Sequence, residues 1–203
     1  MDYTFSTLFK ISLRFYFLLT PFFALSMFLY LTKNFSDKRR KSDATKIAIT
    51  TFICCVIIIF FGETIFSVLG ITLDAFRTGV GTILLLDAIS LVKGRIVPPQ
   101  SDSDTEEIVI VPMTIPILIG PAVMGTMLVL GIEAPSLNAK LFNIIALLIA
   151  LFVIWAMLYL SVAMEKYLGK KRIVILSKIT GIYLAALASQ MIMQGLRDNF
   201  FVK

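Results

Sequence analysis

The chain has 203 residues, 58% of them hydrophobic, with a mean hydropathy of +0.91 and a formal charge of +6. So apolar a composition excludes an ordinary soluble domain and indicates a polytopic membrane protein. The positive charge does not indicate nucleic acid, because the basic residues cluster in loops beside apolar runs, where they set membrane topology.

Apolar runs of about 20 residues, enough to span a bilayer, are read at roughly 8–32, 46–69, 75–94, 108–131, 140–164 and 174–196. The first passes Lys10 and Arg14 and continues without a small-residue cleavage site, so it is expected to remain as a helix. Thr20 and Pro21 interrupt it. The basic segment 33–46 follows, with Ser36 and Asp37 as candidate N-caps for the second helix. Thirteen of the 19 Lys and Arg residues fall in 33–46, 93–107 and 165–178. If those loops face the cytoplasm, both termini lie on the non-cytoplasmic side. Cys54 and Cys55 read as small hydrophobes in the second helix.

Residues 95–107, with two prolines and four acids, read as a cytoplasmic linker between segments 1–94 and 108–203. The halves echo each other at a spacing of about 100. Thr20-Pro21 matches Gly120-Pro121, Leu69-Gly70 matches Leu168-Gly169, and Arg77-Thr78-Gly79 matches Ile179-Thr180-Gly181. Three helices per unit invert the second unit, so the expectation is six helices in two inverted three-helix repeats, with helices 1 and 4 broken.

The fourth run carries Pro112, Pro116, Gly120, Pro121 and Gly125. Each proline removes a donor and frees the carbonyl four residues earlier. Within lipid such backbone persists only where protein, water or a solute satisfies it. Five helix-weakening residues exceed what one kink requires, whereas Thr20-Pro21 alone reads more readily as a kink. Read as N-cap and N1 pairs, both breaks would begin a half-helix in mid-membrane, its free N–H groups and positive dipole end facing a carboxylate. The freed carbonyls of Phe17, Pro112 and Ile117 would accept from an ammonium. A small amino acid suits that arrangement. The substrate-binding candidates are Thr20, Pro21, Pro112, Pro116, Gly120, Pro121 and Gly125.

Asp87, well inside the third run, is a candidate for proton or ion coupling or else pairs structurally with Lys93 or Arg95. Glu63 reads as an interfacial acid or a gate, and Ser189 and Gln190 suggest a polar seam shared with Asp87. The absence of His and of nucleotide-binding, zinc-protease and nucleophile-elbow motifs argues against an enzyme, a metal or a cofactor.

Val111, Pro112, Ile115, Pro116, Leu118, Gly120, Pro121 and Thr126 resemble the signature V-P-L-A-I-P-L-L-A-G-P-G-A-I-T-T of the MarC-related small neutral amino acid transporters. Gly62-Glu63, Leu69-Gly70-Ile71, Phe76-Arg77 and the stretch from Thr180-Gly181 to Gly195-Leu196 extend the resemblance over almost the whole chain. It implies a six-helix inverted repeat in the cytoplasmic (inner) membrane that carries glycine- or alanine-sized amino acids. The first signature departs: where the family resembles N-P-I-G-N-I-P-I-F, this chain has Thr20-Pro21-Phe22-Phe23-Ala24-Leu25-Ser26-Met27-Phe28. Ala122 stands where glycine is usual.

The expected activity is therefore secondary, gradient-driven transport of small neutral amino acids by alternating access. The expected partners are the amino acid, a coupling H+ or Na+, membrane lipid and, in a homo-oligomer, a second copy. The alternative is a structural or assembly membrane protein whose transport site has decayed. A channel and a membrane enzyme rank below both.

Overall fold

A computed structural model describes residues 4–70, 72–94, 110, 113–134 and 136–201. Among them the chain is entirely helical: α1 (Phe5–Leu18), α2 (Pro21–Leu31), α3 (Asp37–Leu69), α4 (Leu73–Lys93), a π-helical stretch (Met113–Leu118), α5 (Pro121–Ile132), α6 (Leu137–Tyr159) and α7 (Ser161–Phe201). Among the described residues, four helices are long and apolar enough to cross a membrane, within α3, α4, α6 and α7. A fifth span results if α1 and α2, bent by 41° at their junction, count as one. The run expected as the fourth span is instead the π-helical stretch followed by the 12-residue α5, too short alone to cross.

Local chemistry explains the boundaries. The Ser36 hydroxyl accepts the Arg39 N–H at 3.4 Å, so α3 starts at the expected cap and makes helix of the basic segment read as a loop. Thr72 and Ser136 cap α4 and α6 by accepting from Ala75 and Ala139. Beyond α6 the chain is helical over Ser161–Phe201 except at Gly169, whose φ of 71° needs a residue without Cβ. Lys and Arg are good helix formers, which is why basic segments read as loops prolong helices here.

The broken segments occupy the middle. Phe15, Leu18, Leu19, Leu25 and Phe28 from α1, α2 and their junction, and Met113, Leu118 and Ile119 from the π-helical region, are almost fully buried. The long helices surround them and turn Ile49, Ile53 and Ile57 of α3, Ile145, Leu148 and Phe152 of α6, and Ile175, Ile179 and Ile182 of α7 outward. An exterior this apolar belongs against lipid. α4 and α7 approach closely: a Cβ on Gly81 would lie 3.1 Å from the Ala188 carbonyl oxygen, and one on Gly181 would lie 3.0 Å from that of Ala88.

Candidate functional site

Both expected interruptions exist. At the first, Leu19 and Thr20 donate to the carbonyls of Phe15 and Phe17, both at 3.0 Å, and close α1. Thr20 then adopts φ 45°, ψ 59°, the one left-handed non-glycine among the described residues. It occupies the N-cap position of α2, with Pro21 at N1, but its side chain makes no capping bond. The expected cap is thus corrected: caps hold extended backbone, and the left-handed turn redirects the hydroxyl. The Phe17 carbonyl, expected to be free, is likewise occupied by the Thr20 N–H.

At the second, the Ile119 N–H donates to the Thr114 carbonyl at 2.8 Å, a bond five residues long, and Ile115 leaves helical geometry at φ −130°, ψ 119°. Gly120 is extended (φ −75°, ψ 171°), its carbonyl accepting the Met124 N–H at 2.9 Å, and Pro121 takes N1 of α5. Pro116 lies within the π-helical stretch; Pro112 lies outside the described residues. Among the described residues, the N–H groups of Phe22 and Phe23 and of Ala122 and Val123, the second and third positions of α2 and α5, have no acceptor. The Ile117 carbonyl has no donor there either. Pro21 is buried, Thr20 and Gly120 are half-buried, and α2 packs against the π-helical stretch. Two helix starts with unspent donors therefore sit in one apolar core, a ready place for negative charge.

Aromatic rings crowd the first break. Tyr16 meets Phe17 and Phe22 edge-on at 5.3 and 6.4 Å between centroids, and Phe17 lies 4.5 Å from Tyr183 of α7. The Tyr16 hydroxyl donates to the Met157 sulfur at 3.3 Å. Three cavities lined by described residues do not include Thr20 or Gly120. Two lie among the basic residues at the start of α3, and one is an apolar groove between α3 and α6.

The other candidates are placed elsewhere. Gly125 faces α4, where a Cβ would lie 2.3 Å from Val80 Cγ2. Asp87 is on the exposed face of α4 with Leu86 and Ser90. Ser189 and Gln190 are exposed too, the Ser189 hydroxyl donating to the Ala185 carbonyl. The Glu63 side chain lies outside the described residues.

One cluster escaped the sequence reading. Arg77 of α4, almost fully buried, pairs with Asp74 and Asp198 at 3.3 Å each and with Glu133, tying α4 to the ends of α5 and α7. The partners lie 3, 56 and 121 positions away. Trp155 donates its indole N–H to the Thr45 hydroxyl at 3.1 Å and links α6 to α3.

The model of the MarC family integral membrane proteins matches residues 5–200, nearly the whole chain. The chain belongs to the MarC family. This MarC-family chain is 31% identical over 186 residues to a UPF0056 membrane protein of Methanocaldococcus jannaschii, covering 89% of this chain and 91% of that one. It is 28% identical over 188 residues to one of Aquifex aeolicus (89% and 88%) and over 185 residues to the inner membrane protein YhgN of Escherichia coli K12 (89% and 91%). No solved structure matches it. The MarC-family chain is an integral, multi-pass membrane protein.

Proposed function

We propose that this protein is a secondary transporter of small neutral amino acids, bound between the two breaks and passed across the membrane by alternating access. The observation that carries the reading is the pair of helix starts, one in each half, whose second and third N–H groups have no acceptor among the described residues. Each buried orphan costs about 1–3 kcal/mol. A carboxylate repays that cost and gains from both dipoles, while the Ile117 carbonyl supplies an acceptor for the ammonium.

Internal correspondence supports two inverted repeats as the framework, 1–94 and 108–203. Gly81 meets Ala188 and Ile192, and Gly181 meets Ala88 and Val92, so each contact is the other moved by 100 positions and exchanged between halves. Gly70 and Gly169 both have positive φ, of 63° and 71°. α2 packs on α7 as α5 packs on α4. On this framework the π-helical stretch and α5 form the fourth of six spans, and the basic segments put both termini outside the cytoplasm. A cytoplasmic (inner) membrane is proposed, the location stated for the Escherichia coli relative.

A second reading is favoured by the aromatic rings at the first break, where Phe22 and Phe23 replace the isoleucine and glycine of the family signature: a structural or assembly protein with a filled site. Uptake of labelled glycine, alanine, serine and threonine into proteoliposomes under proton and sodium gradients separates the two. Saturable uptake is expected. No flux under either gradient would favour the second.

A further inference from the structure

Hydroxyls inside apolar helices ordinarily donate to the carbonyl four residues back, because no water is at hand. This protein follows that habit where its hydroxyls are buried. Ser12 donates to Leu8 at 2.8 Å, Thr32 to Phe28 at 2.7 Å, Thr126 to Ala122 at 2.8 Å, Ser177 to Ile173 at 3.1 Å and Thr180 to Leu176 at 3.0 Å. Thr51 of α3 and Thr114 of the π-helical stretch depart from it. They are 0% and 2% exposed, and neither hydroxyl has a partner among the described residues.

Their positions give the departure meaning. α3 packs against the π-helical stretch, so the two orphans are carried by elements in contact with each other. Thr114 also supplies the carbonyl that takes the Ile119 N–H, one residue before the Gly120 break. Hence the two side chains with unspent hydrogen-bonding capacity lie on elements flanking the main chain with unspent capacity.

We propose that the Thr51 and Thr114 hydroxyls are side-chain contacts of a solute site at the second break, completing the shell of a small polar solute whose charges are met by main chain. The inference rests on the transport reading for the identity of that solute as an amino acid. The break supplies charge complementarity through the α5 N-terminus and the Ile117 carbonyl. The hydroxyls, each able to donate and accept, supply neutral contacts that fix orientation and reject apolar solutes of equal size.

The test uses the purified full-length protein with Thr51→Val and Thr114→Val, which keep shape and remove the hydroxyl, and with Thr51→Ser and Thr114→Ser, which keep the hydroxyl. Ligand-induced thermal stabilisation is titrated with glycine, alanine, serine and, as non-amino-acid probes, acetate, methylamine and glycerol. Each Val variant is expected to weaken glycine binding by about three- to ten-fold, the value of one neutral hydrogen bond, with binding restored by Ser. Without ligand the Val variants should be as stable as the original, since a methyl replaces an unpaired hydroxyl. If no probe stabilises the protein, or if Val variants bind the probes as tightly as the original, the inference is overturned. If acetate, methylamine or glycerol binds in a Thr-dependent way and no amino acid does, the hydroxyl site stands and the amino acid reading falls.

Discussion

Gly125→Ala tests the packing of α5 on α4. The new Cβ would sit 2.3 Å from Val80 Cγ2 and 2.7 Å from Cγ1, where carbon atoms prefer roughly 3.5–4.0 Å. Val80 is 4% exposed, and a β-branched residue in a helix has essentially one χ1 rotamer, so the conflict is relieved by moving a helix rather than a side chain. Overpacking costs about 1–3 kcal/mol, and the better helix propensity of alanine returns up to about 1. The expected net loss is about 1–2 kcal/mol. Val80→Ala removes both conflicting methyl groups and leaves Val80 Cβ at 3.0 Å. The double variant should therefore recover most of the Gly125→Ala loss, with a coupling of about 1–2 kcal/mol. Thermal unfolding in detergent of the two single variants and the double measures it, with Gly79→Ala as control because nothing lies within 4 Å of a Cβ there. Strictly additive effects would refute the packing.

Arg77→Gln should cost about 2 kcal/mol, between an exposed pair and a buried one, because three carboxylates lose a common counter-charge. Arg77→Lys should rescue little of it, since one ammonium cannot reproduce the fork. Unfolding temperatures check both, and loss of less than a degree in Arg77→Gln would remove the cluster as a structural tie. Thr20→Asn should stabilise by about 1 kcal/mol, because Asn tolerates the left-handed region that costs a β-branched residue; a lowered unfolding temperature would show the turn to be different. Asp87→Asn, on the exposed face of α4, should leave the KM for glycine uptake unchanged. A KM several-fold higher would return this acid to the transport path.

Much of the architecture is legible in the residues. Pro21, Gly120 and Pro121 announce their breaks because proline cannot continue a ladder of backbone bonds, and Ser36 announces the start of α3. Hydropathy, however, registers only the apolar part of a helix, so it placed that start near residue 46 and missed the basic extension from Asp37. Asp87 shows a second limit. A helix apolar on every side carries little periodicity, and which face meets the core is decided by close contacts such as those of Gly81. Local propensity likewise gives no warning of a left-handed Thr20 or of an Arg77 whose partners come from three parts of the chain. The unpaired hydroxyls of Thr51 and Thr114 are legible only once their neighbours are in place.

The most direct measurement is glycine uptake by Gly120→Leu against the original protein, in proteoliposomes matched for protein content and unfolding temperature. A Leu side chain at the second break would fill the space before the α5 N-terminus, so uptake should fall to the level of empty vesicles. Uptake by the variant at the original rate would contradict a solute site at the breaks.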